Sequence, residues 1–61
     1  MNQKQFIGKK IKFRWRDGNP MQGTLVKVHW EDNIVIRTDA GGGLTGPIEH
    51  GSMELVEDDN N

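Results

Sequence analysis

Residues 8–38 read GKKIKFRWRDGNPMQGTLVKVHWEDNIVIRT, and this stretch predicts three consecutive β-strands. In the first of them, cationic and apolar residues alternate one by one from Lys10 to Arg16. Successive side chains of a strand point to opposite faces, whereas a helix would mix the two sets on its surface. The alternation therefore predicts a core wall on one face and positive charge on the other. The core wall is Ile11, Phe13 and Trp15, and the charged face is Lys10, Lys12, Arg14 and Arg16.

Turn residues divide the whole chain into five short strands, at about 9–16, 21–30, 34–38, 44–49 and 53–56. Asp, Asn, Gly and Pro are dense between them, and a 3₁₀ turn is expected at 50–52. Five short strands with almost no helix predict an all-β fold. We expect a single five-stranded, SH3-like small barrel over residues 1–56, with the 3₁₀ turn between strands four and five. Residues 57–61 (EDDNN) hold no apolar side chain and are predicted to be a disordered acidic tail.

Several local details are expected within this fold. Trp15 is placed opposite Gly23 in the first hairpin, where the missing side chain leaves room for the indole. The odd spacing of the core residues Leu25 and Val28 indicates a bulge between them. Pro47 confines the fourth strand to a sheet edge or a bulge. Residues 1–7 are expected to form a short helical turn or a loose lead-in that docks Phe6 and Ile7 on the barrel.

Length and composition exclude several classes of protein. The chain has 61 residues and no cysteine, so it forms one domain without disulfides or thiolate metal sites. Small secreted domains usually need disulfides, so a cytoplasmic protein is expected. No apolar run approaches the roughly 20 residues of a membrane helix, and the N-terminus has no apolar segment typical of a signal peptide.

Catalysis, metal binding and cofactors are not expected. His29 and His50 fall in different turns, without the spacing of a zinc site or of a Ser–His–Asp triad. The glycines at 41–43 are not followed by the Lys-Ser/Thr and helix of a phosphate-binding loop. The sequence therefore favours a binding protein.

Charge is distributed unevenly along the chain, although the net charge is −1. Residues 1–16 hold six cations and no acid, whereas residues 49–61 hold five acids and no Lys or Arg. Cations on one strand face recur about every 6.6 Å, a spacing comparable to the phosphate repeat of a nucleic acid. Trp30, in the loop after strand two, is a candidate for stacking on a base. The candidate RNA contacts are Lys9, Lys10, Lys12, Arg14, Arg16, Lys27, Trp30 and Arg37.

The run from Gly8 to Ile36 also resembles the first motif of Sm and Sm-like proteins, an architecture shared with Tudor and SH3-like domains. The motif positions are occupied by Gly18, Gly23, Leu25 and Asn33. The resemblance implies a small barrel that binds RNA, and it adds Asn33 as a base contact. The whole chain is also similar to the very short small-barrel proteins of marine picocyanobacteria, which are associated with RNA and translation. Since Pro47 removes a donor from the strand that pairs between subunits in Sm rings, we expect a monomer.

Two functions remain open from the sequence. The first is non-enzymatic binding of structured RNA, tRNA or ribosomal RNA, through the phosphate backbone. The second is a protein-interaction module in which a groove lined by Trp15 or Trp30 holds a peptide or an acidic partner surface.

Overall fold

The computed structural model describes residues 3–30 and 32–56. The predicted disordered tail, 57–61, lies outside the described residues. A 3₁₀ helix at Gln3–Phe6 is followed by five strands, each close to its predicted position. The strands are β1 (Lys10–Arg14), β2 (Pro20–Val28), β3 (Asn33–Arg37), β4 (Gly43–Pro47) and β5 (Glu54–Leu55).

The five strands form one antiparallel sheet in the order β4-β3-β2-β1-β5. The all-β prediction is confirmed, and Pro47 lies on an edge strand as expected. β4 and β5 are the two edges and do not pair with each other, so the sheet is not closed. Backbone hydrogen bonds nevertheless connect the end of β1 to the end of β4 and the residues after it. They run from Arg16 N to Pro47 O (3.0 Å) and from Glu49 N to Arg14 O (2.7 Å).

The core lies on the face of the sheet that the sequence alternation predicts. In β1, Ile11 and Phe13 are buried at 0% and 4% exposure, and the three residues around them are exposed. In β3, Ile34 and Ile36 point inward, while Arg37 points outward. Burial of aliphatic and aromatic side chains is the main stabilising contribution in so small a domain. The buried core is Ile11, Phe13, Leu25, Ile34, Ile36 and Ile48.

The register of the first hairpin differs from the prediction. Trp15 does not face Gly23, because β1 and β2 pair with Ile11 opposite Gly23 and Arg14 opposite Pro20. The hairpin loop is centred near Asp17, where Asp17 Oδ1 accepts a hydrogen bond from the backbone N–H of Asn19 (2.9 Å). Such an Asx turn stabilises a short loop and so fixes the register of the strands that it joins.

Two glycines accommodate close contacts in this register. A Cβ on Gly46 of β4 would lie 3.4 Å from Trp15 Cζ3, so Gly46, not Gly23, makes room for the indole. Gly23 is buried against β3 instead. A Cβ there would lie 2.8 Å from Ile36 Cδ1 and 2.9 Å from the Arg37 carbonyl oxygen.

Two of the other local predictions are confirmed. The β2–β3 register shifts between Leu25 and Lys27, which is the expected bulge. The N-terminal segment forms the 3₁₀ helix, from which Phe6 packs against the core. Ile7, by contrast, is 45% exposed, so it does not pack into the core as predicted.

The connection between β4 and β5 is not the predicted 3₁₀ turn. The Ser52 amide donates to the Glu49 carbonyl (3.0 Å), as it would in a 3₁₀ turn, but Gly51 has φ of 80°. A positive φ at the third residue is typical of a type II turn, and glycine adopts it without steric cost. In the described residues the 3₁₀ helix precedes β1 instead.

The crowding at Gly23 predicts a steric cost for any side chain. Gly23→Ala should lower the free energy of unfolding by about 1–3 kcal/mol, because the Arg37 backbone has to move. Gly42→Ala is the matched control, since a Cβ there meets only Thr38 Oγ1 at 3.8 Å. Urea denaturation of the two variants measures the difference. Equal stabilities would contradict the assignment of Gly23 as the crowded position.

Candidate nucleic-acid interface

The outer face of β1 carries three cationic side chains, which we call the β1 cationic row (Lys10, Lys12 and Arg14). All three residues are exposed, whereas the two residues between them are buried. Because β1 pairs with β2 on one side and β5 on the other, the row lies inside the sheet rather than at its edge. The predicted alternation is confirmed here, and RNA binding by the row stays a prediction.

Each member of the row has a carboxylate within ion-pairing distance. The pairs are Lys10–Asp39 (Nζ to Oδ2, 3.1 Å), Lys12–Glu54 (Nζ to Oε1, 3.6 Å) and Arg14–Glu49 (Nε to Oε1, 2.7 Å). All six side chains are 43–75% exposed, so water and salt screen these attractions. Exposed ion pairs of this kind contribute little to stability. The row is therefore charge-compensated by three exposed carboxylates.

Arg14 and Glu49 form the best-defined of the three pairs. Arg14 Nη2 makes a second, longer hydrogen bond to Glu49 Oε2 (3.4 Å), so the guanidinium contacts both carboxylate oxygens. The hydrogen bond from Arg14, and then its charge, lower the pKa of Glu49. The same contacts raise the pKa of Arg14. The geometry shows that Arg14 can present a two-pronged donor to an oxyanion.

A cleft of about 530 Å³ lies beside the row, between the start of β2 and the turn that leads into β5. Lys12 and Arg14 line it together with Gln22 and Ser52. The Ser52 hydroxyl is fixed there, because Oγ accepts from the Arg14 amide (3.1 Å) and donates to the Arg14 carbonyl (3.2 Å). The cleft combines two cations and the Glu54 carboxylate with neutral hydrogen-bonding groups, and groups of the first and last kind suit a phosphate or a ribose.

Lys9, Lys27 and Arg37 are exposed at other points of the sheet. Arg37 lies in the same cross-strand line as Lys10, with Thr24 between them. Lys9 lies in the bend just before β1. Lys27 is opposite Val35, on the far side of the bulge. Arg37 therefore extends the row across the sheet, whereas Lys27 lies on the outer face beyond the bulge.

The remaining predicted contacts lie around the β2–β3 loop, beyond the row. Trp30 is 74% exposed, so it does not close the core. Asn33 begins β3, and its Nδ2 donates to the Trp30 carbonyl (3.3 Å), which fixes the amide to the loop backbone. Arg16 follows β1 in the hairpin turn. These residues are not gathered with the β1 cationic row into one site.

Asp32 connects the β2–β3 loop to two other segments. The Asp32 side chain is only 19% exposed. Its Oδ1 accepts a hydrogen bond from Gln3 Nε2 (3.1 Å), and its Oδ2 is hydrogen-bonded to His50 Nδ1 (3.0 Å). The contact with His50 is the largest cause of a lowered pKa for Asp32, to which Gln3 and the charge of Arg16 also contribute. Asp32 has φ of 64°, a conformation that Asp tolerates better than most residues. It therefore has a structural role in holding this end of the sheet together.

A second, more apolar groove of about 510 Å³ lies between the hairpin turn and β4. Trp15, Leu44, Gly46 and Pro47 form most of it, and Arg16, Asp17 and Thr45 complete its lining. The Trp15 indole packs edge-to-face against Phe13, with ring centroids 4.9 Å apart and an angle of 88° between the ring planes. This groove is on the core side of the sheet, whereas the β1 cationic row is on the outer side.

Residues 3–30 and 32–56 contain no group of three or more His, Asp or Glu side chains arranged to hold a metal ion. None of the helices in these segments is long and apolar enough to cross a membrane. Comparison of the chain with known protein families, with characterised proteins and with solved structures finds no match.

The carboxylates that pair with the β1 cationic row were not among the residues predicted from the sequence. Glu49 and Glu54 belong by sequence to the acidic C-terminal stretch, and Asp39 belongs to the glycine-rich loop. One of these carboxylates could be found by predicting that β5 pairs with β1, since this pairing places Glu54 directly opposite Lys12. Opposite charges at cross-strand positions attract each other, so a correct β1–β5 register would have found this pair.

The Arg14–Glu49 contact predicts a measurable titration. In the wild-type protein the carboxyl carbon of Glu49 should titrate below the ordinary pKa of 4.5, and Arg14→Met should return it towards that value. Because the folded pKa is lowered, the pair stabilises the fold at neutral pH, and this contribution is lost as the pH falls through the folded pKa. Lys27→Met is the matched control and should leave the Glu49 titration unchanged. An unchanged Glu49 titration in Arg14→Met would contradict the contact.

Proposed function

We propose that this protein is a non-enzymatic RNA-binding protein. The β1 cationic row would contact the phosphate backbone of the RNA. One observation carries the proposal. Three exposed cations occupy successive outward positions of one strand, beside a cleft lined with hydrogen-bonding groups. Phosphate contacts of this kind give affinity and orientation rather than sequence recognition. We therefore expect modest specificity.

Binding would proceed by exchange of anions. Each carboxylate of the row is exposed, and its ion pair is screened by solvent. A phosphate presents several acceptor oxygens, and its binding also releases condensed counterions from the RNA. Arg14 would contact a phosphate with both prongs of its guanidinium. The Gln22 amide would donate or accept at a ribose, and Ser52 Oγ, which already donates to the Arg14 carbonyl, would accept there. An anion that binds the cations less tightly than the carboxylates do would not displace them.

For the fold, we propose the class of SH3-like small barrels with Sm-like or Tudor-like character. Support comes from the isolated bridge between Trp15 and Ile48, which connects the end of β1 to the residue after β4, on the same side of β1 as β5. The motif glycines also have roles that suit a strongly bent sheet. Gly18 has φ of 102° in the hairpin turn, and Gly23 lets β3 approach β2 closely.

As the ligand we propose structured RNA of the translation machinery, tRNA or ribosomal RNA, bound by a cytoplasmic monomer. Support for this choice is the resemblance of the sequence to small barrels associated with RNA and translation. In the described residues the longest helix has four residues, so no helix is available for a DNA major groove. Exposed Trp30 would add a stacking contact if the RNA strand extends past the hairpin turn.

The proposal predicts opposite effects of two substitutions in one ion pair. With bulk tRNA as the probe, Arg14→Gln should weaken binding about threefold or more, because a phosphate contact is lost. Glu49→Gln should strengthen it by about two- to fivefold, because the competing carboxylate is removed while the arginine stays. Fluorescence anisotropy of labelled tRNA at constant salt measures both.

Lys27→Gln serves as the control, because it changes the net charge as Arg14→Gln does but lies outside the row. Its affinity should stay within about a factor of two of wild type. The proposal fails if the three variants follow net charge alone, or if wild-type protein does not bind tRNA at low salt.

A further inference from the structure

The free edge of β4 is protected only at its Pro47 end. Natural sheets usually cover an edge or mark it with charges, prolines or bulges, since unpaired backbone groups attract further strands. Here residues 40–48 (AGGGLTGPI) contain no charged side chain, and Pro47 is the only protective residue. Leu44, in the middle of this edge, is 41% exposed.

The hydrogen-bonding pattern shows which backbone groups of β4 are free. Thr38 N bonds to Gly42 O (2.8 Å), and Ile48 N bonds to Asp32 O (2.9 Å). Antiparallel ladders alternate between residues that bond to the neighbouring strand and residues that point away from it. Gly43 and Thr45 therefore point their N–H and C=O groups away from β3. No other backbone hydrogen bond to either residue is made within the part of the chain that the structure describes.

The apolar groove lies along the same edge. Leu44 and Gly46 have inward parity, opposite the buried Ile36 and Ile34. Their exposed side forms the groove together with the Trp15 indole. A strand added to β4 would thus hydrogen bond to Gly43 and Thr45, and would point alternate side chains into the groove.

We propose that the β4 edge and the Trp15 groove form a docking site for a short extended peptide of a partner protein, bound as an added β-strand. Only a polypeptide offers N–H and C=O groups at the spacing that Gly43 and Thr45 present. The groove selects an aliphatic side chain, because its base is apolar and its two rim charges, Arg16 and Asp17, are of opposite sign. This site goes beyond RNA binding and uses a different face of the sheet.

The occupant is a narrow peptide rather than the flat sheet of a second copy. The free edge is short, because Pro47 O already accepts from Arg16 N (3.0 Å) and the hairpin turn stands beside it. The groove between this turn and β4 has a volume of about 510 Å³, which suits the side chains of a single extended segment better than the edge of another folded domain. So small an interface corresponds to a weak, transient contact.

The test is an NMR titration of ¹⁵N-labelled protein with the blocked peptide TLTLT at millimolar concentration. We expect saturable shifts of the Gly43 and Thr45 amides and of the Trp15 indole. The peptide TSTST should bind far more weakly, since it lacks the aliphatic side chains. TLTLT that is N-methylated at alternate residues should not bind, because its bonding edge is blocked.

Two matched variants locate the site. Leu44→Asp should weaken TLTLT binding by about tenfold or more, because it places a charge in the groove. Leu55→Asp makes the same change at a similarly exposed leucine on the opposite edge, 48% exposed against 41%, and should bind as wild type does. The N-methylated peptide keeps the test valid on wild-type protein if Leu44→Asp does not fold.

Several results would overturn the proposal. One is the absence of saturable shifts at Gly43 and Thr45, and another is equal binding by the N-methylated peptide or by Leu44→Asp. Shifts at these amides on raising the protein concentration alone would identify a second copy as the occupant. Displacement of TLTLT by a short oligouridylate that shifts the same amides would assign the groove to RNA.

Discussion

The side-chain alternation of β1, between β2 and β5, is the constraint on which the rest of the structure depends. Ile11 and Phe13 contribute two of the buried core side chains, and the residues around them form the β1 cationic row. A shift of one residue would bury Lys12 and expose Phe13, so the register is strongly fixed. The same five residues thus determine the core and the charged face. A change in the register of β1 would therefore disrupt the core and the charged face together.

The charged face exists only in the folded chain, and so does its compensation. Asp39, Glu49 and Glu54 come from three separate segments and reach the row because the loop after β3, the residues after β4, and β5 all end beside β1. The result is a surface on which each cation of the row is paired with an exposed carboxylate. RNA binding there and peptide binding along β4 would use opposite faces of the sheet. The two proposed ligands therefore need not compete.

Much of the fold follows from local sequence patterns. Period-two alternation locates β1 and β3, the odd Leu25–Val28 spacing locates the bulge, and Pro47 marks an edge strand. The register of the first hairpin does not follow, because it depends on a hydrogen bond from the backbone N–H of Asn19 to the Asp17 carboxylate rather than on hydrophobic pattern. The carboxylates that pair with the β1 cationic row do not follow either. Their positions depend on which distant strands become neighbours, and no local pattern specifies that.

The salt dependence of tRNA binding tests the central claim most directly, namely that phosphates replace the carboxylates along the β1 cationic row. Three phosphate contacts predict that the logarithm of the binding constant falls with the logarithm of salt concentration at a slope of about −2 to −3. In Arg14→Gln the slope should become shallower by about the contribution of one phosphate contact. A slope near zero for the wild-type protein, or the same slope in both proteins, would contradict the account.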